Sequence, residues 1–243
     1  MSAIILSMRI LFCVLLLSTL HAELPPKGIT VSQWVREDYF AAYLGGDMAT
    51  FEKGMAKTRE LLAADTNNDG ARSWLASGQI YLALRSYKEG KAALGTSQFE
   101  EAMRTAQQSL ISSNPTALRV LAATYILFAD RFPEAQRASL LKDGRDLFAR
   151  IRQQEDQMLD KMPLHFKAEV LAGQAQAAMR LGLQEEATKY LNEIVAKLPN
   201  THYSQTAAKW LADPASASKS QLVCQSCHEP NRLENRLKAI AAK

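Results

Sequence analysis

The sequence predicts an all-α fold built from antiparallel helix pairs, and three observations lead there. Apolar residues recur with helical period along most of the chain. Proline, glycine and capping residues fall between those stripes. No segment alternates with β-branched residues as a half-buried strand would. At 243 residues, 47% hydrophobic and 22% charged, the chain is long enough and apolar enough to bury a substantial core.

The amino terminus has a different character. Arg9 precedes the apolar run ILFCVLLLSTL, and HA at 21–22 ends it on a small residue. A charged start, a short apolar stretch and a small residue form the layout of a secretory signal peptide, expected over residues 1–22. The run is too short to span a bilayer comfortably, and no later segment is long and apolar enough to do so, so no transmembrane segment is expected after cleavage. Cys13 follows Phe12 where a lipoprotein signal places a small residue, so it is read as part of the signal peptide. Removing residues 1–22 takes away one arginine and no acid, which lowers the net charge from +4 to +3. That mild excess is spread along the chain and argues against a nucleic-acid partner.

Residues 30–212 repeat one theme, with about seven to nine helices expected. Stripes with helical spacing run through Phe99, Ala102, Met103, Ala106 and Leu110, then Leu118, Leu121, Tyr125 and Phe128. Ala168, Leu171, Ala175 and Ala178 make the next, and Ala187, Tyr190, Leu191, Ile194, Val195 and Leu198 the last. Ser97 with Glu100 reads as a capping box, and Asn114-Pro115 as a cap followed by proline at the first helical position. Pro133, Pro163 and Pro199 separate stripes, while Gly45-Gly46, Gly95 and Gly182 read as turns. Short connections favour antiparallel neighbours.

Trp74, Gly78 and Tyr81 in WLASGQIY, and Ala187 twelve residues before Pro199, resemble the tetratricopeptide (TPR) repeat. The Trp74 unit departs from the 34-residue frame by about a dozen residues, YKEGKAALGTSQ. The stretch LLAADTNND, ending at Asp69, reads as a repeat-ending turn with Thr66 where the repeat often has proline. The resemblance implies an α-solenoid of antiparallel helix pairs whose concave groove holds a protein partner, with a redox protein as one candidate. It names a scaffold, not an activity.

The body carries no Gly-rich phosphate loop, no H-E-x-x-H and no nucleophile elbow. The acidic pairs Glu100-Glu101 and Glu185-Glu186 read as solvated helix faces. Met103 and Met179 fit the stripes and read as core. The histidines beyond residue 22 are His165, His202 and His228.

After Ala212 the segment DPASASKS is small and polar and reads as a linker, assigned to 213–223. It leads to Cys224, Gln225, Ser226, Cys227 and His228, a C-x-x-C-H run holding the only cysteines outside the signal peptide. This is the attachment pattern of a c-type haem. Two thiols so spaced add to the two vinyl groups on one porphyrin edge, and the next histidine reaches the iron as axial ligand. Export suits such a protein, and the bacterial periplasm is the expected location.

Other chemistries use the same residues. A Cys224–Cys227 disulfide would close a very small loop. A thioredoxin-like pair needs a βαβ setting that the helical stripes do not offer. Zinc would need a fourth ligand such as His202. With one haem c, the chain resembles exported bacterial TPR-like proteins ending in a single C-x-x-C-H tail, which implies a haem-bearing, partner-binding protein. Class II cytochromes c, including cytochrome c′, also place the motif near the carboxyl end of a helical bundle. The greater length here and the polar linker favour a haem on the tail, 224–243. Only fifteen residues follow His228, none of them Met or His. The sixth iron ligand is therefore open, with His202, His165 or one of Met48, Met55, Met103, Met158, Met162 and Met179 as candidates.

Overall fold

Five of the described helices begin where an apolar stripe is preceded by a Thr, Asp or Asn whose side chain accepts from an amide of the first turn. The computed structural model describes residues 24, 25 and 27–223. The expected signal peptide, Cys224, Cys227, His228 and the rest of the tail lie outside the described residues. Nine α-helices are present among those described: α1 Val31–Gly45, α2 Met48–Ala64, α3 Asp69–Lys88, α4 Ala92–Leu110, α5 Pro115–Ala129, α6 Glu134–Glu155, α7 Leu164–Arg180, α8 Gln184–Lys197 and α9 His202–Ala212. Two 3-10 segments, Asp156–Lys161 and Pro214–Lys219, complete the order, and the described residues contain no strand.

Capping follows the expected chemistry at most starts. Thr30 caps α1 in a reciprocal box with Gln33, Asp47 caps α2, and Asn68 caps α3. Asn114 accepts from Thr116 N at 3.0 Å ahead of Pro115, as the dipeptide predicts. The Ser97–Glu100 box does not form, because α4 already begins at Ala92 and Ser97 lies inside it. The residues that exceed the repeat frame lengthen α3 and α4 instead of forming a loop, leaving a turn of three residues, 89–91.

Helices pack as consecutive pairs, α1 with α2, α3 with α4, α5 with α6 and α7 with α8, while α9 closes on α8. The odd-numbered helices α1, α3, α5 and α7 also lie side by side in one layer. This is an all-α, solenoid-like arrangement of adjacent helix pairs. Across the other layer, Arg145 and Arg152 on α6 reach Glu186 and Glu193 on α8, each through two guanidinium–carboxylate bonds of 2.7–3.0 Å. Their seven-residue spacing on both helices stacks the two bridges along a common face.

The core begins with an aromatic cluster. Tyr39 meets Phe51 edge-on at 5.3 Å, and Tyr43 meets Tyr81 at 4.8 Å and Phe128 at 4.9 Å. Two of its buried phenols are paired, Tyr39 with Thr58 at 2.7 Å and Tyr43 with Ser77 at 2.8 Å. Burial pushes both phenols well above the ordinary tyrosine range, so they stay neutral.

Glycine sets the closest approaches. A Cβ on Gly78 would lie 2.2 Å from Met55 Sδ and 2.7 Å from the Tyr39 ring. Gly95, expected at a turn, lies buried within α4 and faces Tyr87 of α3, where a Cβ would sit 2.9 Å from the ring. Gly173 on α7 is the tightest, since a Cβ there would be 2.1 Å from the Phe148 ring of α6. Phe148 is fully buried and has little room to retreat. Gly173→Ala is therefore expected to destabilise the protein by about 1–3 kcal/mol, read as a lower denaturation midpoint in urea with unchanged slope. A midpoint equal to the parent's would show that α6 and α7 do not meet as described.

Candidate functional site

The layer of odd-numbered helices is hollowed into a concave groove of about 270 Å³. Phe40 of α1, Trp74 of α3, Val120, Ala123 and Leu127 of α5 and Phe166 of α7 supply its apolar lining. These positions come from four helices remote in sequence, so each helix contributes one strip of the surface.

Polar groups in the groove are largely answered by one another. Tyr43, Ser77 and Thr124 join in a hydroxyl chain that ends where Thr124 Oγ1 donates to the Val120 carbonyl at 2.7 Å. That chain ties α1, α3 and α5 beneath the groove. Trp74 Nε1 donates to Ser32 Oγ at 3.0 Å, and Arg36 pairs with Glu37 at 2.7 Å. Arg119, buried on α5, pairs with Glu155 and holds its guanidinium 5.1 Å from the Phe166 ring. Its Nε is buried without a hydrogen-bond partner.

Residues 213–223, read from the sequence as a polar linker, are packed against the helices. Asp213 caps the 3-10 segment Pro214–Lys219, in which Ser216 and Ala217 are buried. The following residues cross α7, and Leu222 and Val223 are 0% and 1% exposed. Three side chains hold this strap. Arg180 donates to the carbonyls of Ala217 and Ser220, the latter at 2.8 Å, and to Asp130 Oδ2 at 2.7 Å. Trp210 Nε1 donates to Ser220 Oγ at 2.8 Å. Gln176 Oε1 accepts from the backbone amides of Leu222 at 2.6 Å and Val223 at 3.0 Å. Gln221 Nε2 then donates to the carbonyl of Leu127, a groove residue in the last turn of α5, at 3.4 Å. The composition still reads as small and polar, but the segment is docked because distant residues satisfy its backbone.

The candidate ligand residues separate accordingly. Cys224, Cys227 and His228 lie outside the described residues, one to five positions beyond buried Val223. His165 lines the groove at the start of α7, 3.7 Å from Glu169 Oε2 and 5.4 Å from the Phe166 ring. It precedes Gln176 by eleven residues, about 16 Å along the helix axis. His202 opens α9 and stacks on Tyr203 at 4.3 Å, at the opposite end of that helix from the strap. Met55 is buried in the core against Gly78, and Met158 is exposed. No group of three His, Cys, Asp or Glu residues suited to a metal ion occurs among the described residues. No helix among them is long and apolar enough to cross a membrane.

Sequence patterns did not single out Arg119, Gln176 or Arg180. Each reads locally as an ordinary helix residue, and its partners lie 36–47 positions away. The strap belongs to the folded body. A chain ending at Asp213 is expected to be less stable than one ending at Val223 by about 2 kcal/mol, read as a lower denaturant midpoint. Equal midpoints for the two truncations would show that the strap adds nothing to the body.

The chain matches no protein family, no curated protein and no solved structure.

Proposed function

We propose that this is an exported protein whose TPR-like helical body presents one covalent haem c, held by Cys224 and Cys227 with His228 as an axial ligand. The observation that carries this reading is the C-x-x-C-H run itself, together with the signal-like amino terminus. The donor set suits the group, with two thiols for the thioether bonds and an imidazole directly after the second. When bound, the haem supplies a one-electron iron couple. The protein's own residues do the rest: the cysteines fix the group covalently, His228 ligates it, and the groove offers an apolar seat for a partner. The role is electron transfer with that protein partner, or haem presentation to it, in the bacterial periplasm. His165 and His202 remain the proposed candidates for a sixth ligand.

A second reading, favoured by the groove, is an interaction scaffold in which binding alone is the function. The residues described as lining the groove lie between Thr30 and Glu169, and on that reading a chain ending at Val223 binds its partner as the full chain does.

The test is export of the full chain from a host that matures c-type cytochromes, followed by a denaturing gel stained for haem peroxidase activity. The parent band should stain, and Cys224→Ala with Cys227→Ala should abolish the stain while leaving the helical circular dichroism nearly unchanged. A colourless parent band, from a host that matures a control cytochrome, overturns the haem assignment. Loss of most helical signal in the double variant would instead make the haem part of the core, as in cytochrome c′.

A further inference from the structure

Many of the residues that line the groove are almost out of reach of solvent. Tyr43, Trp74, Arg119, Leu127 and Glu169 are each 8% exposed or less. A flat protein surface laid over the groove would not touch them, whereas a slim molecule entering it would. The volume of about 270 Å³ lies near the small end of ligand pockets, which begin at about 300 Å³.

Aromatic walls and unspent cationic donors meet in this space. Phe40, Trp74 and Phe166 offer ring surface. Arg36 and Arg119 also line the groove, and neither spends its full hydrogen-bonding capacity on its acid. Arg36 gives Nε and Nη2 to one oxygen, Glu37 Oε1, at 3.1 and 2.7 Å. Arg119 gives Nη2 to Glu155, while its Nε is buried without a hydrogen-bond partner. A guanidinium has five N–H donors, so both keep donors for a further acceptor, and a buried donor left unanswered is costly. Gln33 of α1, Thr116 of α5 and His165 of α7 bring the first turns of three helices to the groove, and with them the positive ends of three helix dipoles. Glu169 is the one acid among the described lining residues, and His165 stands 3.7 Å from it.

We propose that the groove is a binding site for a small organic carboxylate with an aromatic body, its ring against Phe40, Trp74 and Phe166 and its carboxylate answered by Arg36 and Arg119. The site goes beyond the protein-partner reading of the groove and uses no residue of the proposed haem segment. An amide of the same shape forfeits the charge-assisted bonds, and an amine sets a positive charge beside two guanidiniums.

Titration calorimetry of the exported full chain with hydrocinnamate and indoleacetate tests the site. At least one should bind with a Kd of about 1 mM or tighter. Its amide should bind about ten-fold or more weakly, and phenylpropylamine more weakly still. Arg36→Gln, made together with Glu37→Gln so that no unpaired acid is left, should lower the carboxylate's affinity to the amide's and leave the amide's unchanged. Ala123→Phe, which fills the groove, should abolish binding of both with the helical circular dichroism retained. Where that variant fails to fold, the Arg36 variant decides. Binding by neither carboxylate, equal affinity for acid and amide, an amine that binds as well as the acid, or parent affinity in either folded variant overturns the site. A carboxylate held by haem iron would also bind the variants as it binds the parent, so it falls among the overturning results. The haem-stained gel is indifferent to these substitutions, so failure of this site and failure of the haem reading are distinguishable.

Discussion

A backbone amide or carbonyl buried without a partner costs about as much as the apolar contact that buries it gains, and this constraint governs the carboxyl-terminal part of the structure. The segment after Ala212 is 3-10 helical only as far as Lys219, and the amides of Leu222 and Val223 beyond it take their partner from α7. It can bury Ala217, Leu222 and Val223 because Arg180 and Gln176, one helical turn apart on α7, present two donors and a double acceptor to it. Arg180 is in turn neutralised by Asp130 at the end of α5. The position of the chain at Leu222 and Val223 follows from these few bonds.

Helix α7 could not serve that purpose without its small residues. Ala168, Ala172, Gly173 and Ala175 let α6 and α5 approach it closely, and Gly173 admits the edge of Phe148. The same helix gives Phe166 and His165 to the groove at one end and Gln176 to the strap near the other. Groove and strap are thus both built on α7.

Much of this architecture was legible from the residues alone. The stripe through Leu118, Leu121, Tyr125 and Phe128 is wholly buried, and Gly78 stands at a close helix crossing. Local patterns failed where a non-local partner decided the outcome. Ser97 and Glu100 form a good capping pair by spacing, but α4 gains a further turn from packing on α3 and begins earlier. Val195 fits its stripe and yet is 38% exposed, because that edge of α8 meets no neighbour close enough to cover it. DPASASKS has the composition of a flexible connection, and nothing in those eight residues reveals that Arg180 and Trp210 are waiting for their backbone and side-chain oxygens. The groove was foreseeable as a class of surface, but the hydroxyl chain from Tyr43 through Ser77 to Thr124 spans three helices and leaves no local signature.

Covalent haem at Cys224 and Cys227 is the central proposal, and peptide mass analysis addresses it most directly. Trypsin cleaves after Lys219 and Arg232, so residues 220–232 of the exported protein form one peptide containing Cys224, Cys227 and His228. That peptide should carry the mass of one haem joined through both sulfurs, and no unmodified or disulfide form should predominate. Recovery of the peptide without haem, from cells that attach haem to another c-type cytochrome, would contradict the account and leave a helical binding protein with a plain pair of thiols.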